Sequence, residues 1–295
     1  MSANKPKAAG PSKASVRWVR ILLRQQNRGL VLTAIVVVAA IGSALYGWQR
    51  FGGLIDQSSD YVLTPERITM TPQPAWIHAD VKADVVRSAN LARLPLRDPR
   101  LVEQLAAAFT LHPWVAKVVR VQKQFPAAAH VELQYRRPVA VVRVEPKGES
   151  RLLFVDASGV LLPSEDFAPE QGKDFLRIEA AGEVPTSGYG LPWQSERIAG
   201  AARVAAALAD RWQSLGLYRI VAVQSPDGQL LYELRTPKDV RVVWGAAVGR
   251  EMPAEPSAEQ KIAALERHVR DKGPLDRDGG EALLDLRALA QSSKR

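Results

Sequence analysis

Residues 112–144, HPWVAKVVRVQKQFPAAAHVELQYRRPVAVVRV, constrain this chain more than any other stretch. Three β-rich runs follow one another closely. Residues 115–121 are dominated by valine, and Phe125 and Pro126 break the run. Residues 130–136 then alternate, with Val131, Leu133 and Tyr135 on one side and His130, Glu132, Gln134 and Arg136 on the other. That is the period of a strand buried on one face. Pro138 lacks the N–H that a ladder needs, so Arg137 and Pro138 separate this strand from the next. Residues 139–144 are apolar on both faces, as a more deeply buried strand requires.

Upstream, residues 67–70 predict a short strand, and Thr71, Pro72, Gln73 and Pro74 turn the chain. Residues 80–91 predict a helix with Val81, Val85 and Ala89 on one face. Asp98 as N-cap and Pro99 at the first helical position open a second helix, with Leu101, Leu105, Ala108 and Phe109 as its apolar face. His112 and Pro113 stop it, and capping or packing is the expected role of His112. Trp114 and Phe125 read as core residues. The predicted order over residues 66–138 is strand, helix, helix, strand, strand.

The second half, residues 139–290, predicts a mostly antiparallel β-domain with two helices. Strands are expected at 152–155 and 160–162, around a turn of Asp156, Ala157, Ser158 and Gly159. Residues 164–173 and 182–192 read as loops. Residues 195–212 carry Ile198, Ala202, Ala205, Leu208 and Trp212 as one helical stripe. Residues 218–223 and 230–235 form a hairpin across Pro226, Asp227 and Gly228, residues that favour a tight turn. A strand at 240–244 follows. Ser257 and Gln260 form a capping box for the second helix, which Gly273 and Pro274 end. A last strand runs through Leu283, Leu284, Asp285, Leu286 and Arg287. The fold class expected is α+β.

The N-terminal part adds topology. The formal net charge is +9, but Lys5, Lys7, Lys13, Arg17, Arg20, Arg24 and Arg28 precede the long apolar run with no acid among them. Removing them leaves roughly +2 on the remainder, so the charge is a topology signal and not a nucleic-acid footprint. Residues 1–28 read as a cytoplasmic basic tail. Residues 29–48 carry no charge and would make a helix of about 30 Å, the thickness of a bilayer's hydrocarbon core. Tyr46 and Trp48 stand where interfacial aromatics collect, and Arg17, Arg20, Arg24 and Arg28 where arginines meet lipid phosphates. The expectation is an uncleaved transmembrane helix with its arginine-rich end in the cytoplasm. A linker at 49–65 follows, and everything after residue 48 is expected to face outward, which in a Gram-negative cell means the periplasm.

No chemistry-bearing constellation stands out. The chain has no cysteine, which excludes thiolate metal sites, disulfides and a cysteine nucleophile. His78, His112, His130 and His268 lack metal-ligand spacing, and no phosphate-loop glycine signature or nucleophile elbow occurs. The expectation is a non-enzyme without cofactor, catalytic residue or metal, which works by binding protein. A membrane-anchored periplasmic cell-wall hydrolase is the alternative, because a Ser-His-Asp set need not be contiguous.

Pro113, Trp114 and Val115, then Val119 and Arg120, Phe125 and Pro126, Val131 and Glu132, and the run Arg136, Arg137, Pro138, Val139, Ala140 resemble, in order and spacing, the bacterial cell-division family FtsQ, also called DivIB. The turn at Asp156 and Gly159, the strand end at Trp244 and Gly245, and the terminal Asp285, Leu286, Arg287 extend the resemblance over residues 29–287. It implies an inner-membrane, single-pass type II protein at the division septum, with a POTRA domain over residues 66–138 and an FtsQ-type β-domain over 139–290. It further implies that the far end of the β-domain binds FtsB- and FtsL-type divisome proteins, which points to Leu284, Leu286 and Ala288. The family often has an aromatic where this chain has Ala288. Lys117, Arg120 and Lys123 are candidates for a docking face through which the POTRA domain meets other division proteins.

Overall fold

The computed structural model describes residues 28–56, 61–145, 148–277 and 283–287. The basic residues Arg17, Arg20 and Arg24 lie outside this set. The chain divides into two compact units, residues 1–62 and 63–295.

In the first unit, α1 runs from Arg28 to Asp56, 29 residues. Its side chains are described without a break from Leu32 to Gly47. Leu32, Ile35, Val36, Val38, Ile41, Leu45 and Tyr46 are all exposed. Among the residues so described, no helix is long and apolar enough to cross a membrane. The charge-free run at 29–48 extends past that stretch at both ends.

The second unit is α+β and is built mainly on two sheets, of three and seven strands. The smaller is built from β1 (Ile68–Met70), β2 (Val115–Gln124) and β3 (Ala128–Tyr135), in the order β1-β3-β2. Two helices lie between β1 and β2: α2 (Val81–Ser88) and α3 (Leu101–Thr110). β1 is parallel to β3, and β2 is antiparallel to it. The Asp80 carboxylate accepts from the Ala83 N–H at 3.0 Å and so opens α2. Asn90, at φ 52, closes it. The Leu91 N–H reaches the Val86 carbonyl at 3.0 Å, a left-handed C-terminal cap, so the helix ends before the predicted residue 91. Leu101, Leu105, Ala108 and Phe109 are buried on α3, as their spacing predicted. They meet Trp114, Val131 and Leu133 in one core. Phe125 departs from expectation. It is 74% exposed, because it sits on the turn beyond the end of β2 and not in the strand.

The larger sheet has seven strands: β4 (Pro138–Val144), β5 (Arg151–Asp156), β6 (Leu176–Glu179), β7 (Arg219–Gln224), β8 (Leu230–Arg235), β9 (Arg241–Gly245) and β10 (Leu283–Asp285). Their order is β10-β9-β8-β7-β6-β4-β5. The sheet is mixed, not mostly antiparallel. β4–β5, β7–β8 and β8–β9 are antiparallel, whereas β4–β6, β6–β7 and β9–β10 are parallel. Two of the three parallel pairs are joined through a helix. Parallel neighbours need a long crossover, and α4 (Glu196–Leu208) separates β6 from β7 as α5 (Ala258–Lys272) separates β9 from β10. Both helices give their apolar stripes to one face. Ile198, Ala202, Ala205, Leu208, Ile262 and Leu265 join Ile178, Ile220, Leu234, Val242 and Trp244 in the second core. Residues 160–162 make isolated bridges and no strand.

The two sheets belong to one unit and share a seam. Val141, Phe154, Leu162 and Phe167 complete the first core, with Phe154 and Phe167 stacked at 3.7 Å. Arg136, between β3 and β4, donates to the Asp156 carboxylate at 2.7 Å. Asp156 also accepts from the N–H groups of Ser158 and Val160, so one carboxylate ties the end of β3 to the turn after β5.

Candidate partner-binding edge

β10 is the outermost strand of the seven-stranded sheet, and among the described residues it has a neighbour on one side only. Val242 faces Leu284, and Val243 faces Asp285. An edge strand leaves a row of N–H and C=O groups unpaired, which is a template for another strand. Its placement begins with α5. The Ser257 hydroxyl accepts from the Gln260 N–H, and the Gln260 side chain accepts from the Ser257 N–H at 3.1 Å, which is the predicted capping box. Gly273, at φ 86, ends the helix, and Leu275 is buried behind it.

The strand ends at Asp285, and Leu286 and Arg287, expected as its continuation, are helical. Leu284 and Leu286 are 3% and 0% exposed and belong to the core. Their side chains cannot contact a partner, which overturns the expectation for these two residues. Ala288 lies outside the described residues. The outward set is Leu283, 54% exposed, with Asp285 and Arg287. Arg287 donates through Nε and Nη2 to the two Asp285 oxygens at 3.0 and 2.7 Å. The hydrogen bond to that carboxylate raises the guanidinium's pKa above its ordinary value. This is a rigid, planar ion pair displayed at the sheet's rim.

Beneath the rim lies a buried charge pair. Lys261 is fully buried, and its Nζ donates to Glu255 Oε1 at 2.6 Å. The ammonium stands 4.9 Å from the Trp244 ring centroid. Glu255 also accepts from the N–H groups of Ala246 and Met252, so the carboxylate organises the loop after β9. A Cβ at Gly245 would stand 2.0 Å from Glu255 Oε1, and its φ is 99. The predicted strand end at Gly245 thus has a local cause: only glycine leaves room for this carboxylate. Asp285 and Arg287, with Asp227, Leu231, Met252 and Glu255, line a groove of about 530 Å³. Met252 is 47% exposed there.

Lys117 and Arg120 are exposed on β2, opposite Gln134 and Glu132 on the outward face of the small sheet. Lys123 is not with them. It is opposite Ala129, and its ammonium donates to the carbonyls of Leu96 and Asp98 at 2.9 and 2.6 Å. The irregularity between Val118 and Arg120 puts Lys117 and Arg120 on one face, and regular alternation from Arg120 puts Lys123 on the other. Arg28 and Trp48 lie in α1 without described side chains, and Tyr46 is 68% exposed.

A cleft of about 610 Å³ holds His112, Asp84, Ser88, Trp114 and Asp166. His112 Nδ1 accepts from the Trp114 N–H at 3.3 Å, and Nε2 stands 3.8 Å from Asp84. Burial holds its pKa below the usual histidine value, against the pull of Asp84. The Ser88 hydroxyl donates to the Val85 carbonyl, so Ser88 and His112 are each engaged elsewhere. His112 does cap and pack at the junction of α3 and β2.

Sequence reasoning missed Leu283, Asp285, Arg287, Met252 and Glu255. The signal for the first three was present: two leucines alternate with two charged residues, and the leucines belong inward. Neither a family model nor a curated protein matches the chain.

Proposed function

We propose that the chain is a non-catalytic scaffold of the FtsQ/DivIB type. It is anchored in the inner membrane by residues 29–48, with residues 66–138 as a POTRA domain and residues 139–290 as the β-domain. The observation that carries this reading is that β10 is the outermost strand of its sheet among the described residues, beside a groove that displays Asp285 and Arg287. A partner segment of the FtsB or FtsL type adds a strand there. Backbone hydrogen bonds supply affinity, and the outward side chains supply choice. Three further observations support it: the exposed apolar side chains of α1, the strand-helix-helix-strand-strand order before residue 138, and the motifs shared with the family over residues 29–287. The septal site and the periplasmic location follow from that resemblance and from the arginines before the apolar run.

The test is co-purification of the full-length protein, in detergent, with the periplasmic segment of an FtsB-type protein. Leu283→Glu and Arg287→Glu are expected to lower recovery roughly tenfold or more, the effect of losing one strong interface contact. Lys123→Glu, away from the edge, should leave it intact. Unchanged recovery in both edge variants would contradict the proposal.

A further inference from the structure

Register puts four arginines side by side on the larger sheet. Arg177 of β6 faces Arg219 of β7, Arg219 faces Arg235 of β8, and Arg235 faces Arg241 of β9. Like charges directly opposite one another destabilise a sheet. The row lies on the face turned away from α4 and α5, since the intervening Ile178, Ile220, Leu234 and Val242 are in the core beneath those helices. At one end this outer face is covered, where Val141 and Phe154 enter the first core. Over β6 to β9 it is open: Arg241 is 48% and Arg219 32% exposed along the side chain.

Three carboxylates answer the four guanidiniums. Asp239 accepts from Arg219 and Arg235 at 2.7 and 3.1 Å. Glu233 takes Arg235 at 3.1 Å and also bonds Arg241. Glu179 meets Arg219 at 3.4 Å. Arg177 has no carboxylate among these pairs. It bonds the Tyr218 hydroxyl and stacks 4.8 Å from that ring's centroid. The Arg235 Nε is buried without a hydrogen-bond partner. Alongside the row on the same face stand Val221, Val223, Leu231 and Val243, all half-buried and none of them in either core. The surface is therefore cationic along one line and apolar beside it. A local conflict with sheet stability of this kind is expected where a surface has a task.

We propose that this open face docks an acidic amphipathic segment of a partner polypeptide. Its carboxylates lie on the arginine row, with Arg177 as the guanidinium left for it, and its apolar side chains lie on Val221, Val223, Leu231 and Val243. Guanidinium forks favour carboxylates held in a fixed plane, and the valines favour a polypeptide over a free anion. The face adjoins the β10 edge, where Leu283 pairs with Arg241 and Asp285 with Val243, but the proposal is argued from the arginine row and does not depend on strand addition at β10.

The test uses the full-length protein in zwitterionic nanodiscs. The probe is a fluorescent helical peptide with glutamates along one face and leucines along the other, followed by anisotropy. Saturable binding is expected, weakened about tenfold or more by Arg177→Glu or Val221→Asp, as when a complementary contact becomes a repulsive one. Exchanging the peptide's glutamates for lysines should restore binding to Arg177→Glu. Circular dichroism on each variant confirms the fold, and Arg241→Gln gives a second, milder reading. No saturable binding, an equal loss with Arg151→Glu on β5, or capture of polyphosphate or anionic vesicles in preference to the peptide would overturn the proposal.

Discussion

Gly200 shows how one residue carries the packing of the larger core. It sits inside α4, where alanine is ordinarily better by about 0.5–1 kcal/mol. Here a Cβ would lie 1.9 Å from the Tyr232 hydroxyl oxygen. Tyr232 is 1% exposed and donates to the Glu196 carbonyl at 3.0 Å, and burial pushes its phenol up to about 12. Gly200→Ala is therefore expected to destabilise the protein by roughly 1–3 kcal/mol, the range for overpacking a tight core. Chemical denaturation of the full chain measures it, and a stabilised variant would refute the close approach. Gly200 was not singled out in the sequence, since glycine in an alanine-rich helix looks like a weak helix residue. Leu284 and Leu286 teach the reverse lesson. Their hydrophobicity was legible, but the side of the strand they occupy depends on where the core lies. Both leucines turn inward, where the sequence alone did not place them.

At the scale of elements, boundaries followed local chemistry. Ser257 with Gln260 and the alternation of β3 were readable in the sequence, whereas Asp98, expected as the N-cap of α3, is not its cap: the helix begins at Leu101, after Arg100. β6 was not readable. Its four residues, Leu176–Glu179, give too short a pattern, yet the strand lies inside the sheet, parallel to both neighbours, and its presence makes the sheet mixed. The junction of α3 and β2 gives an element-scale expectation for pH. Burial depresses the His112 pKa, and Asp84 and Asp166 only partly offset this. The unfolded chain thus takes a proton at a higher pH than the folded one. Stability is full above the ordinary histidine value of about 6.5 and is lost as pH falls through the folded value. His112→Gln keeps an acceptor for the Trp114 N–H and removes the titration. Thermal unfolding between pH 8 and pH 5 should show a fall in the wild type that is flattened in this variant; equal slopes would place the pH dependence elsewhere.

For the molecule as a whole, the sequence carried the α+β class, the two-part order of elements and the separate apolar run, because each rests on periodicity or charge within a short window. The shared seam was not legible. Arg136 and Asp156 were read as parts of separate motifs, 20 residues apart, and only the fold brings them to 2.7 Å. The arginine row was equally hidden, since it depends on register across four strands. In the function proposed above, the protein is an anchored surface whose terminal strand accepts another. The most direct test is hydrogen–deuterium exchange on the full-length protein in nanodiscs, with and without the periplasmic segment of an FtsB-type protein. The amides of residues 283–287 should become markedly slower to exchange when the segment binds, while those of β2 stay unchanged. Binding that leaves residues 283–287 as fast as before, or the absence of any binding, would contradict the central claim.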